Sequence, residues 1–318
     1  MVGGPLRIAS RGSELALWQS RAVEAALRAA DPAADLEIRV IRTTGDRIQD
    51  VPLAKIGDKG LFTKELDAAL LAGEADLAVH SLKDVPTRIP QGLVLAAVTR
   101  REDPRDVLIL APGRSGGLDA LPPGAHVGTS SLRRRSQLAA LRPDLDIRDL
   151  RGNLNTRLAK LDAGEYDAII LAAAGVLRLG WRERISGFLE PDAWLPAVGQ
   201  GALAVITRAD SPVAERLRPL HDAGTAACTT AERALLHSLE GGCQIPIGAL
   251  ATVEGGRLTL DALVADLGGE RIIRTRQEGA MEDAESIGVH AAGHLLAAGA
   301  GEILVRIRAE ITPEPAAP

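Results

Sequence analysis

Apolar and polar positions along this chain switch between a period of two and a period of 3.6, and the switches lay out most of its architecture. "LRIAS" reads as a short apolar strand. After it Leu15, Trp18 and Val23 share one helical face, and Ser13 stands where it can cap a helix over about Glu14 to Ala30. "LEIRVIRT" alternates as a strand does. "FTKELDAALLAG" carries Thr63 at its start, Leu66, Ala69 and Leu70 within, and Gly73 at its end, which is a helix signature. "ADLAVHS" follows as a buried strand. This alternation predicts a largely parallel sheet with helices on both faces.

The pattern pauses at "RREDPRD" (Arg100 to Asp106) and then resumes. "AHVGTSSLRRRSQLAALRP" is strand, Ser/Thr turn and helix, and "LDIRDLRG" is another strand. "TRLAKLDAGEYDAIILAAAGVLRLG" supplies a helix, a strongly apolar strand and the start of a further helix. The pause predicts a hinge between two similar α/β units. A second pause, "FLEPDAWLPAVGQGALAVITR", ends in a strand that is a candidate to return to the first unit.

From about residue 223 the grammar changes. Thr229 and Glu232 read as a capping box opening the helix "TAERALLHSL". Three strand-like runs come next, "IPIGALATV", "RLTLDALVA" and "RIIRTRQ", separated by Gly255-Gly256 and Gly268-Gly269 as antiparallel hairpins require. One helix, about Asp283 to Ala298, closes this α+β unit, and the tail "ITPEPAAP" reads as disordered.

With 318 residues, 46% hydrophobic and 25% charged, the chain has room for two or three globular domains. Aromatics make up only 2%, so the core must be built from Ala, Leu, Val and Ile. A net charge of −5 and few stacking aromatics argue against a nucleic-acid binder or a membrane-surface protein. The N-terminus lacks the apolar stretch of a signal peptide, and no run is long enough to span a bilayer, so a soluble cytoplasmic protein is expected. Cys228 and Cys243 are the two cysteines and form no CxxC, which excludes a disulfide scaffold or zinc ribbon. His290 and His294 have helical spacing but no HExxH context, so no metal site is expected.

In open α/β sheets, ligands bind beyond the carboxyl ends of the strands. Ser10, Arg11 and Ser13 follow the first strand here, and His80, Ser81, Lys83 and Asp84 follow "ADLAV". After "AHVG" come Thr129, Ser130, Ser131, Arg133, Arg134 and Arg135; after "LDIRDL" come Arg151, Asn153 and Arg157; Arg178 follows "YDAIILA". Between Gly128 and Arg157 seven arginines face three acids, a local excess of +4 in an acidic chain. With a Thr-Ser-Ser helix start, this predicts a site for a carboxylate- or phosphate-rich ligand. Successive helical residues point about 100° apart, so Arg133, Arg134 and Arg135 cannot all face one ligand, and one is expected to serve the surface. Asp84, a lone acid among cations before Val-Pro, either caps a turn or holds and transfers protons at a cationic nitrogen. Cys243 in "LEGGCQIPIG" sits on a Gly-Gly loop, placed to act as a nucleophile or as an attachment point. Cys228 reads as a packing residue.

Several long motifs, in order and with consistent spacing, resemble the porphobilinogen deaminase (hydroxymethylbilane synthase) family. They are "LRIASRGSELALWQ", "PLAKIGDKGLFTKEL", "DLAVHSLKDVP", "REDPRD", "VGTSSLRRR", "LRGNLNTRL", "EYDAIILAAAGVLRLG", "LPAVGQGALA" and "LEGGCQIPIGA". The resemblance runs from about residue 5 to at least residue 310. It implies that Cys243 carries a dipyrromethane cofactor through a thioether. It also implies a transferase of heme biosynthesis that adds four porphobilinogen units to that cofactor, releasing ammonia each time, and frees hydroxymethylbilane by hydrolysis. By position, Asp84 is the family's catalytic acid. Arg11, Ser13, Lys83, Thr129, Ser130, Ser131, Arg133, Arg134, Arg151, Asn153, Arg157, Arg178 and Gln200 match its cofactor- and substrate-binding positions, and Lys55, Lys59 and Phe62 fall in its mobile active-site loop.

The implied fold is two α/β domains like those of periplasmic binding proteins, flanking a cleft, plus a C-terminal α+β domain with a three-stranded antiparallel sheet. The expected bounds are 1–100 with 200–218, then 105–194, then 223–318, in a monomer. The competing reading, a non-catalytic periplasmic-type binding protein for an anion, leaves Cys243 without a role.

Overall fold

The computed structural model describes residues 4–47, 60, 62–239 and 245–311. Its first sheet contains β1 (Leu6–Ser10), β2 (Leu36–Val40), β3 (Leu77–Ser81) and β4 (Leu93–Val98). Its second contains β5 (Asp106–Leu110), β6 (His126–Gly128), β7 (Asp146–Arg148), β8 (Ala168–Ala172) and β9 (Gly187–Leu189). The next strand, β10 (Leu203–Arg208), goes back to the first sheet and inserts between β3 and β4. The orders are β2-β1-β3-β10-β4 and β7-β6-β8-β5-β9. In each sheet one strand, β10 or β5, runs antiparallel to both of its neighbours, while β1 with β2 and β3, and β6 with β7 and β8, pair in parallel. The reversed strands are the ones that directly follow the two crossings between sheets.

Helices cover both faces of each sheet, which is why their central strands are apolar throughout rather than alternating. On the first sheet, α1 (Glu14–Ala30) buries Val23 and Leu27 against Ile8, Leu77 and Val205. After the short α2 (Thr44–Arg47), α3 (Lys64–Leu71) buries Leu66 and Leu70 on the opposite face. On the second sheet, α4 (Leu132–Leu141) places Leu138 on one face. There, α5 (Leu154–Asp162) and α6 (Ala173–Arg178) place Leu158, Leu161 and Val176 on the other. Beyond α7 (Val213–Leu217), a third sheet, β11 (Ile247–Glu254), β12 (Arg257–Ala265) and β13 (Ile272–Ala280), is antiparallel throughout. It packs against α8 (Ala223–Ser238), α9 (Ala284–Ala297) and α10 (Ala300–Ile311). The expected fold class, two α/β sheets and a three-stranded antiparallel one, is what the chain adopts.

Three local expectations are corrected. Thr229 and Glu232 do not open a helix: α8 begins six residues earlier, where the Asp222 carboxylate accepts the Thr225 N–H at 2.8 Å. Thr229 lies inside the helix and donates its hydroxyl to the Thr225 carbonyl at 2.8 Å, the back-bond that serine and threonine make in helix interiors. The C-terminal helix is two helices, broken at Gly299, whose φ of +95° suits glycine and ends the first one. Thr63 precedes α3 without making a side-chain capping bond. The tail at 312–318 lies outside the described residues. No single helix among the described residues is long and apolar enough to cross a membrane.

Where the crossing segments meet, the chain is tightly locked. Gly201 has φ +95°, and a Cβ there would stand 2.4 Å from the Glu102 carbonyl, so only glycine lets the two segments touch. Glu232 of α8, wholly buried, accepts from Arg101 Nη1 at 2.6 Å, from Gly199 N–H at 2.7 Å and from Ala251 N–H at 2.8 Å. Arg101 Nε in turn donates to the Gln200 carbonyl at 2.7 Å. One carboxylate thus joins both crossings to the third sheet. Glu232→Gln is expected to cost about 3–5 kcal/mol in a urea melt, because it strands a buried guanidinium. Arg101→Met added to Glu232→Gln should cost clearly less than the sum of the single losses. Strict additivity would show that the two side chains do not act as a pair.

Candidate active site

Between the two α/β domains lies a cavity of about 580 Å³. Its first-domain wall is built at strand ends. Ser13 follows β1 and accepts the Ala16 N–H to cap α1, leaving Arg11 and Ser13 on the cavity rim. β3 ends in Ser81, and a single 3-10 turn, Leu82–Asp84, then carries Lys83 and Asp84 into the cavity. The crossing segment anchors that turn, since Leu82 N–H donates to the Ala202 carbonyl at 3.0 Å. Pro86 bars the turn from growing into a helix, because the residue before a proline is pushed toward extended backbone.

The second-domain wall comes from α4, α5 and α6. Arg134, Arg151, Asn153, Arg157 and Arg178 line it, and Gln200 of the crossing segment forms the floor. Asn153 caps α5 by accepting the Thr156 N–H at 3.0 Å. Phe62 also faces the cavity, with the Arg11 guanidinium 4.2 Å from its ring centroid. Among the described residues, seven cations (Arg11, Arg42, Lys83, Arg134, Arg151, Arg157 and Arg178) and one carboxylate, Asp84, line this space.

Four sequence candidates lie behind this wall rather than on it. Arg133 is buried and donates to Asp106 at 2.8 Å and to the Leu195 carbonyl at 2.7 Å. Thr129 is buried and accepts the Ser131 N–H at 3.2 Å, while Ser130 exchanges hydrogen bonds with both backbone groups of Leu150. Ser131 caps α4. The three consecutive arginines diverge as helical geometry requires: Arg134 reaches the cavity, Arg133 the interior, and Arg135 is half-buried. Lys55, Lys59 and Cys243 lie outside the described residues.

The cavity also collects residues that sequence reasoning passed over. Gln19 on α1 donates to the Ser81 hydroxyl at 2.8 Å, and Arg42, Thr43 and Asn155 join the lining. A polar Gln on the inward stripe of α1 was the available signal for the first. Nothing in local pattern marks the others.

Burial dominates the electrostatics. It pushes the Lys83 ammonium down to about 8, against the pull of Asp84. It pushes Arg157 down to about 10, helped by repulsion from Arg134 and Arg151, and Arg178 also to about 10. His80, buried in β3, is pushed to about 4 by burial and by Arg11, so it is neutral at pH 7. Arg178 leans on the Gly201 carbonyl at 2.6 Å and Arg157 on the Gly152 carbonyl at 2.9 Å, while Arg134 donates both to the Ile170 carbonyl at 2.9 Å and to Asp106 at 2.7 Å. A carbonyl stabilises a guanidinium without cancelling its charge. Arg134 Nε is buried with no hydrogen-bond partner. The arrangement suits a ligand with several carboxylates.

Residues 6–216 match the family described as porphobilinogen deaminase, dipyromethane cofactor binding domain, and residues 226–297 match porphobilinogen deaminase, C-terminal domain. Porphobilinogen deaminase of Syntrophobacter fumaroxidans is 52% identical over 303 residues, covering 95% of this chain and 97% of that protein. The protein of the same name from Synechococcus elongatus is 51% identical over 312 residues, covering 98% of each. Among solved structures, the periplasmic VFT2 domain of Bordetella pertussis BvgS aligns with 68% of this chain and 86% of its own, at 18% identity and TM-score 0.42.

Crowded buried cations destabilise a protein that holds no anion. Arg157→Met is therefore expected to raise the thermal midpoint of anion-free protein by a few degrees, since it removes a desolvated charge repelled by two neighbours. The same substitution should shrink the further rise that an added polycarboxylate produces. A lower midpoint without anion would contradict this account of the site.

Proposed function

The chain belongs to the porphobilinogen deaminase family, a transferase family of tetrapyrrole biosynthesis, and from that premise we propose which of its residues carry the reaction. The family's activity condenses four porphobilinogen molecules head to tail on a dipyrromethane, releasing ammonia at each step. The observation that carries the assignment of residues is the cavity's charge: seven cations against one acid.

Each pyrrole of porphobilinogen carries an acetate and a propionate, so the bound chain gains negative charge with every addition. Arg11, Arg134, Arg151, Arg157 and Arg178 bind those carboxylates, with guanidinium forks suited to bidentate pairing. Ser13 and Asn153 add hydrogen bonds at the rim. Thr129, Ser130, Ser131 and Arg133 support the start of α4 from behind. By position in the sequence we also assign Lys55, Lys59 and Phe62 to the active-site loop. The residues present fit a dipyrromethane, whose side chains are of the same acidic kind. Held by the Cys243 sulfur, it supplies the free α-carbon on which the chain grows.

Asp84 acts at the pyrrole nitrogens. In each addition the C–N bond of the aminomethyl group breaks and ammonia leaves. The bound dipyrromethane would supply the α-carbon to which that methylene becomes joined, with loss of the proton that carbon carried. Positive charge develops on the reacting rings, and a carboxylate accepting their N–H groups stabilises it. We further read the chain as a cytoplasmic monomer with no nucleic-acid or membrane partner, in keeping with its net charge of −5.

Asp84→Asn is expected to keep the covalent cofactor, seen as retained excess mass, and to lower ammonia release from porphobilinogen by about 10²–10⁴-fold. Near-normal turnover in that variant would remove Asp84 from the chemistry.

A further inference from the structure

A second carboxylate reaches the cavity indirectly. Asp106, the first residue of β5, is wholly buried and accepts from donors on four sides. Arg133 Nη1 and Trp194 Nε1 each lie 2.8 Å from Oδ2. Arg134 Nη2 lies 2.7 Å and Gln200 Nε2 2.8 Å from Oδ1. Arg134 and Gln200 line the cavity, and Gln200 Oε1 accepts from Lys83 Nζ at 3.4 Å, one residue before Asp84. In sequence this carboxylate ends the "REDPRD" stretch without a chemical role attached to it, and it does not line the cavity.

We propose that Asp106 is a positioning residue for the reaction: its carboxylate aims Arg134 into the cavity and turns the Gln200 amide so that its oxygen faces Lys83, linking the second-domain wall to the turn that carries Asp84. The amide has two ends: its NH2 is shared among Asp106 at 2.8 Å and the carbonyls of Pro104 at 2.7 Å and Arg105 at 3.2 Å, which leaves the carbonyl for the ammonium. Without Asp106 the amide NH2 keeps only the Pro104 and Arg105 carbonyls, which do not reach the second domain's arginines. Arg134 keeps only its bond to the Ile170 carbonyl and loses the carboxylate that holds the other arm of its fork. The proposal rests on Lys83 and Arg134 serving as ligand-binding cations.

Charge works in the same direction. Burial raises the Asp106 pKa, but Arg133 and Arg134 outweigh it and hold the group far below the ordinary carboxylate range, so it is an anion at every working pH. The charged groups around Lys83 are Asp84 beside it, Asp106 on β5, and Arg133 and Arg134 on α4. Of these, the two acids raise its pKa and the two arginines lower it. Removing the Asp106 charge must therefore lower the pH at which Lys83 loses its proton. Binding that needs the ammonium then fails sooner as pH rises.

The experiment compares wild type, Asp106→Asn, Gln200→Met and Lys83→Met as cofactor-loaded enzymes. Loading is counted by intact mass, and kcat/KM for porphobilinogen is followed from about pH 6 to pH 10. Expected for Asp106→Asn are a fall of about tenfold or more in kcat/KM and an alkaline limb moved down by about half a unit or more. A purely structural role would lower yield and melting temperature while leaving the limb in place, and that result overturns the proposal. If Asp106→Asn does not fold, Gln200→Met decides, because it cuts the link to Lys83 and leaves both arginine pairs. An unmoved limb there overturns the proposal equally. Lys83→Met should abolish the limb; if the limb persists, the reading of Lys83 as a binding cation fails, and the proposal with it.

Discussion

Positive charge buried in a cleft has to be held in place without being neutralised, and much of this molecule is arranged around that constraint. An isolated guanidinium in a water-poor site loses hydration that only another charge or several dipoles can replace. A carboxylate partner would restore stability but would leave no charge for a ligand. Here Gly201 serves Arg178 and Gly152 serves Arg157 through peptide carbonyls, while Arg134 divides between the Ile170 carbonyl and a share of Asp106, which Arg133 also holds. The Gly201 and Gly152 carbonyls lie just before β10 and α5, so the ends of these elements at the cleft help set the charge of the site. The lowered pKa values of Lys83, Arg157 and Arg178 record the electrostatic tension that remains.

Two buried carboxylates stand off the cavity lining and hold cations from behind. Glu232 closes on Arg101 where the two crossings meet the third sheet. Asp106 closes on Arg133 and Arg134 inside the second domain. Both carboxylates are completely buried and satisfied by several donors, which makes them rigid reference points. Arg233 of α8 extends the same scheme: it donates to the carbonyls of Val85, Pro86 and Thr87 at 3.1, 2.7 and 3.1 Å, bracing the segment that follows Asp84. The helix that leads toward Cys243 therefore also supports the turn carrying the acid.

Much of this was legible in the sequence because it is local. Ser13, Ser131 and Asn153 each stand at a helix start and each caps it, and the strand ends carry cations as an open α/β sheet predicts. Local pattern misled where a distant partner claimed the residue. Thr229 and Glu232 have the spacing of a capping box, yet Glu232 is taken by Arg101, which precedes it by more than a hundred residues. Asp106 closes the pause "RREDPRD" and shows no role of its own there, because its partners lie on α4 and on the second crossing. Among three successive arginines, helical geometry shows that they must diverge, but which one meets the ligand depends on how α4 is seated on its sheet. The break at Gly299 was hidden by apolar residues that continue on both sides of it.

The central claim is that this charged cleft serves a covalently held dipyrromethane on Cys243. The most direct test is the intact mass of the purified chain beside its Cys243→Ser variant, before and after incubation with porphobilinogen. The account predicts an excess equal to one dipyrromethane on the wild type, present at purification or gained on incubation, and none on the variant. A bare chain that gains nothing from porphobilinogen, or an equal excess on the variant, would contradict it.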